Sequence, residues 1–148
     1  MTGDCSSRPI ILSLATVNLS VMVQETAAQL TDYLDEEFGD ELRSVGYYTP
    51  ENSEFIYARE DVESAYDCGQ LQRVFRDNRL EALDTPHQES LYNHGDLIAT
   101  ARFFEHATEL HFVIDETEGI VASIDAGTAD DVRELVCECA NVVEPSSA

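Results

Sequence analysis

Lysine is absent from this chain. Of its 148 residues, eight are basic and all of these are arginine, against 30 Asp plus Glu and a formal net charge of −22. So little positive charge argues against nucleic acid, because a phosphate backbone is held by a basic stripe. The one basic cluster, Arg73, Arg76 and Arg79, recurs at helical spacing among Asp67, Asp77, Glu81 and Asp84, and reads as a solvated ion-pair face. Glycine and proline are also scarce, at seven and four, beside 43% hydrophobic residues. That composition describes a foldable chain of one-domain size, not an acidic disordered tail. No apolar run is long enough to span a bilayer: residues 9–23 carry no charge but are broken by Ser13, Thr16, Asn18 and Ser20. Export is disfavoured as well, since Asp4 and Arg8 cancel where a signal peptide wants a basic start.

Chemical signatures are missing too. The sequence holds no nucleophile elbow, phosphate-binding glycine loop or dinucleotide fingerprint. The four histidines (His87, His94, His106, His111) lack metal-ligand spacing, and there is no Cys-x-x-Cys. No catalytic residue, metal or cofactor is therefore assigned. Acid pairs such as Glu36-Glu37 and Asp130-Asp131 arise from composition alone.

What is there is acid. Like charges at this density repel in dilute buffer, but molar salt shortens the screening length to ~3 Å. Carboxylates stay hydrated in brine, whereas the long apolar stem of lysine does not favour solubility there. The balance points to the cytoplasm of a halophilic archaeon, where the four cysteines are expected to stay reduced. Cys137 and Cys139, two apart on a helix, point away from each other and read as one buried and one half-exposed side chain.

Hydrophobic periodicity lays out the elements. Val23, Ala27, Leu30, Leu34 and Phe38 make a helical stripe over residues 22–38, stopped by Gly39. A hairpin follows: Leu42 to Tyr48, a turn at Thr49-Pro50-Glu51-Asn52, and Glu54 to Arg59. Asp61 is placed to cap a helical region over 62–79, which Gly69 is positioned to divide. Thr85-Pro86-His87-Gln88 predicts a capping-box start for a short helix to Tyr92. Three strands are expected at Asp96–Phe104, Glu109–Ile114 and Ile120–Asp125, then a helix capped by Thr128 that carries Val132, Leu135, Val136 and Cys139. The fold class is α+β, a single domain with a five-stranded antiparallel sheet flanked by helices, in the order α-β-β-α-α-β-β-β-α. By analogy that is the architecture of PAS, GAF, roadblock and profilin-like domains. Its expected extent is 22–143, with 144–148 a frayed tail. Residues 1–21 read as an unmatched extension: either sequence upstream of a true start at Met22, or a strand or docking arm.

Three segments carry a resemblance. Gly39-Asp40-Glu41-Leu42-Arg43-Ser44-Val45, then Tyr57-Ala58-Arg59-Glu60-Asp61, then Tyr92-Asn93-His94-Gly95-Asp96-Leu97-Ile98-Ala99-Thr100-Ala101-Arg102-Phe103 resemble a family of small haloarchaeal proteins of unknown function. Its pattern is Gly-Asp-x-Leu-Arg-x-Val, Tyr-x-Arg-x-Asp and Tyr-x-x-Gly-x-Leu-x-x-Thr-x-Arg-x-Phe. The likeness covers roughly residues 24 to 142. It implies a salt-adapted origin and no particular chemistry.

Arg43, Arg59 and Arg102 are the candidate ligand-binding residues, because guanidinium forks on a sheet could share an anion. The competing reading pairs each with a nearby acid such as Asp40, Glu60, Asp61 or Asp96. Tyr47 and Tyr57 complete the candidate site as polar aromatics lining a pocket, against the alternative that their rings simply fill the core. The expected function is a non-enzymatic signalling or protein-interaction module, acting through the 22–38 helix or an outer sheet edge, with a protein partner or as a homodimer, and without nucleic acid or membrane. The alternatives are a small-ligand sensor with a pocket near Tyr47, Tyr57 and Arg102, or an acid–base enzyme using a buried carboxylate or histidine.

Overall fold

The first helix, α1 (Leu14–Phe38), turns one apolar stripe inward: Val23, Ala27, Leu30 and Leu34 are all buried. It begins earlier than the sequence stripe suggested, so residues 14–21 join the helix. The computed structural model describes residues 14–127 and 132–143, with side chains from residue 21 onward. Gly39, at φ +53°, ends α1 in the left-handed conformation that glycine adopts without strain, and a short 3-10 turn over Gly39–Glu41 leads into the sheet.

Five strands follow: β1 (Leu42–Tyr48), β2 (Ser53–Ala58), β3 (Ala99–Phe103), β4 (Ala107–Val113) and β5 (Gly119–Asp125). They form one antiparallel sheet in the order β2-β1-β5-β4-β3, so β2 and β3 are its edges. The expected α+β architecture and element order are those observed. Between β2 and β3 run α2 (Glu60–Ala65), α3 (Cys68–Leu83) and α4 (Thr85–Tyr92), and α5 (Val132–Val143) closes the chain.

Side-chain alternation on the strands divides the core. One face sends Leu42, Val45, Tyr47, Leu110, Phe112, Ile120, Ala122 and Ile124 to α1 and α5, whose Leu135 and Cys139 complete that layer. Tyr33 of α1 donates its hydroxyl proton to Glu138 of α5 and ties the two helices together. The other face meets α3 through a much smaller cluster: Tyr48, Phe75, Ala82 and Val121, with Phe55 and Val113 alongside.

Three helix starts differ from expectation. Asp61, expected as a cap, lies inside the first turn of α2, which begins at Glu60 with Arg59 in the cap position and Asp61 held by the Arg59 guanidinium. The division in the 62–79 region falls at Tyr66 and Asp67, not at Gly69, because Asp67 forms a full capping box with Gln70. Its Oδ1 accepts from the Gln70 N–H at 2.8 Å and its own N–H donates to Gln70 Oε1 at 2.9 Å. At α4 the cap residue is Asp84; Thr85 lies inside the helix, buried, with its hydroxyl unsatisfied among the described residues. The cap expected at Thr128 lies outside the described residues. Cys137 is exposed and Cys139 buried, as their spacing implied. Cys68, expected as a reduced thiol, is disulfide-bonded.

Candidate functional site

The second sheet face is polar where the first is apolar. Arg102 on β3 pairs in register with Glu109 on β4, Glu109 with Ser123 on β5, and Ser123 with Ser44 on β1. Period-two alternation sends Leu110 and Phe112 to one core and Glu109 and His111 to the opposite side. Because α3 touches the sheet mainly through Phe75 and Ala82, space remains between this polar row and the α2–α3 layer. That space is a cavity of about 760 Å³. Its apolar walls include Phe55, Val62, Leu71 and Val74; Arg43, Glu109, His111 and Ser123 lie on the sheet side, and Phe104 to His106 line it from the β3–β4 turn.

Two hydrogen-bonded chains organise the polar side. In the first, the Tyr48 hydroxyl lies 2.7 Å from His111 Nε2, and His111 Nδ1 lies 2.5 Å from Glu81 Oε1. Glu81 also pairs with Arg102. Burial lowers the His111 pKa from 6.5 despite the raising influence of Glu81, which favours the neutral ring at pH 7. Desolvation, then the Glu81 charge, raises that of Tyr48. In the neutral ring the partners assign the tautomer: the Glu81 carboxylate can only accept, so Nδ1–H donates to it, and Nε2 accepts from the Tyr48 hydroxyl. Above the Tyr48 ring, at 5.7 Å, sits the Arg79 guanidinium, which donates to the carbonyls of Thr49 at 3.0 Å and Asn52 at 2.8 Å. This chain fastens α3 to the sheet. Tyr48 is fully buried, and Gly119 makes room for it, since a Cβ there would clash with its hydroxyl.

In the second chain, Arg43 Nε donates to Ser123 Oγ at 3.0 Å, and Ser123 donates to Glu109 Oε2 at 2.6 Å. Burial raises the Glu109 pKa, only partly offset by the Ser123 hydrogen bond and the charges of Arg43 and Arg102.

The sequence candidates fall in three places. Arg43 and Arg102 both line the cavity, each with an acid nearby: Asp125 is 3.7 Å from Arg43, and Glu81 holds Arg102. Arg59 sits at the base of the sheet, donating to both oxygens of Asp61 and of Asp125 and to the Asp40 carbonyl. It holds Asp61 down to about 2 and lowers Asp125 as well. Tyr47 and Tyr57 belong to the opposite face, packed in the α1–α5 core, where the Tyr47 hydroxyl donates to Glu54 at 3.0 Å. The sheet therefore separates them from Arg102, and the pocket imagined around Tyr47, Tyr57 and Arg102 does not assemble. Glu109 and Ser123 are not among the sequence candidates. For Glu109 the signal lies in β4, where polar residues alternate with large apolar ones.

A sheet with a helical layer on each side and a polar-sided cavity under one of them defines a class of small α+β domain. Residues 28–144 match the family described as Domain of unknown function (DUF7522), and the chain belongs to that family. Comparisons with curated proteins and with solved structures returned no match. Among the described residues, no helix is long and apolar enough to cross a membrane.

Proposed function

We propose that this chain is a non-enzymatic sensor domain that holds a small ligand between its sheet and the α2–α3 layer, in the salt-rich cytoplasm of a halophilic archaeon. One observation carries the reading: the 760 Å³ cavity combines apolar walls with a few convergent polar groups. Small-molecule pockets typically have ~300–1,000 Å³ and this mixed lining. The thin packing under α3 supports a layer that can respond to occupancy. Native mass spectrometry of the protein purified from a haloarchaeal host in molar KCl, then exchanged into a volatile salt, tests it. A stoichiometric added mass is expected, and Val74→Trp, which fills the cavity, should remove it. Wild-type protein that carries no added mass and binds no compound from the host's small-molecule extract would contradict the sensor reading.

A protein-interaction role is favoured by a separate observation. Ile98, Phe103 and Phe104 are 56%, 67% and 57% exposed on or beside β3, an edge strand. An unpaired edge beside apolar side chains is a pairing surface. The 22–38 helix spends its apolar stripe on the core. Affinity capture in molar KCl, compared with Phe103→Ser, tests whether a stoichiometric partner depends on that edge. Neither role draws on nucleic acid or a membrane.

A further inference from the structure

Three arginines on or near one sheet suggest an anion site, but the structure engages each of them. Arg59 spreads its donors over Asp61, Asp125 and the Asp40 carbonyl; Arg102 pairs with Glu81; Arg43 donates to Ser123 beside Asp125. The acids lining the cavity are Asp77, Glu105 and Glu109. Glu109 Oε2 accepts from Ser123, while Oε1 accepts no hydrogen bond among the described residues. We propose that the cavity takes an amine with an apolar body, its ammonium group donating to the open oxygen of Glu109 while the body lies against Phe55, Val62, Leu71 and Val74.

This inference rests on the cavity being a ligand pocket and goes on to name the ligand's chemistry. Glu109 is half-buried and its Oε1 is open to the cavity, so a ligand that displaces water from this oxygen has to supply a donor in its place. Ser123 already donates to Oε2, and a bound ammonium supplies the donor to Oε1 as a charge-assisted bond, stronger than a neutral one. Burial raises the Glu109 pKa more than Ser123, Arg43 and Arg102 lower it, so a cation beside Oε1 would favour the ionised form. Long-range attraction from the net charge is screened in molar salt, so selectivity has to come from these contacts.

Calorimetric titration in molar KCl at neutral pH tests this with three probes of similar shape: phenethylamine, phenethyl alcohol and phenylacetate. The wild type should bind the amine about tenfold more tightly than either other probe. Glu109→Gln, which keeps an acceptor for Ser123, should lose that preference yet retain its affinity for the alcohol. Val74→Trp should bind none of the three; Leu71→Phe is the smaller filling to use if the tryptophan variant does not fold. Tightest binding of phenylacetate, or an amine preference unchanged in Glu109→Gln, would overturn the amine assignment and leave the pocket standing. Failure of every probe to bind the wild type, or binding indifferent to a folded filling variant, would overturn the pocket and the amine assignment with it.

Discussion

His111 and Glu109 are neighbours on one strand, and burial moves their proton equilibria in opposite senses. The His111 ring is held neutral between Tyr48 and Glu81, with its folded pKa below 6.5. As pH falls, the unfolded chain takes up this proton first. The stability it contributes is therefore full above 6.5 and is lost as pH drops from there toward the lower folded value. In molar KCl, the melting temperature of the wild type should decline from about pH 7 to about pH 5, and His111→Gln should show a shallower slope. Glu109 has the reverse sign: its folded pKa is raised above 4.5, so ionising it costs stability as pH climbs through that raised value. Glu109→Gln should accordingly be more stable than wild type near neutral pH, by roughly 1 kcal/mol, measurable by denaturant titration. A lower midpoint would mean that the carboxylate is better compensated than its single hydrogen bond to Ser123 indicates. Tyr48→Phe leaves His111 Nε2 buried without a donor and should cost about 1–3 kcal/mol.

Among the elements, α3 is the one whose seating decides whether the cavity exists. Its N-terminus is set by the Asp67–Gln70 capping box and its middle by Phe75, whose ring lies 4.8 Å from that of Phe55 over Gly46. Asp67→Ala removes the side-chain acceptor and should lower stability by about 1 kcal/mol. Hydrogen exchange should place the added opening at the first turns of α3 rather than in the sheet. Gly46→Ala would put a Cβ 2.9 Å from Phe75 Cζ and should cost about 1–3 kcal/mol by pushing that ring off the sheet. Capping chemistry was legible in the sequence as a type of signal but not always at the right residue. Gly69 looked like the breaker, yet a glycine is tolerated in a first turn when a strong cap precedes it. Thr85 looked like a cap, yet Asp84 takes that position and Thr85 turns into the interior.

Across the whole molecule, charge and topology set separate properties. A chain at −22 without lysine should gain melting temperature as KCl rises from about 0.1 M to molar concentration, because screening weakens repulsion among its carboxylates. Calorimetry across that range checks this, and a falling melting temperature would sink the electrostatic account. The disulfide at Cys68 sits apart from the reduced state expected of a cytoplasmic chain, and thiol counting with and without reductant would show whether it forms in the cell. Several features follow from the sequence alone: the helical stripe ending at Phe38, the hairpin from Leu42, the meander, and a single α+β domain. All of these depend on local periodicity and turn chemistry, which act over a few residues. Which face each polar side chain occupies was also partly readable from strand alternation. Tertiary structure alone decided the rest: it spread the three arginines among Asp61, Asp125 and Glu81, put Tyr47 and Tyr57 behind the sheet, and set Glu81 against His111. Those outcomes depend on strand order and on how closely α3 approaches the sheet, and contacts between residues so far apart in the chain leave no mark on its local pattern.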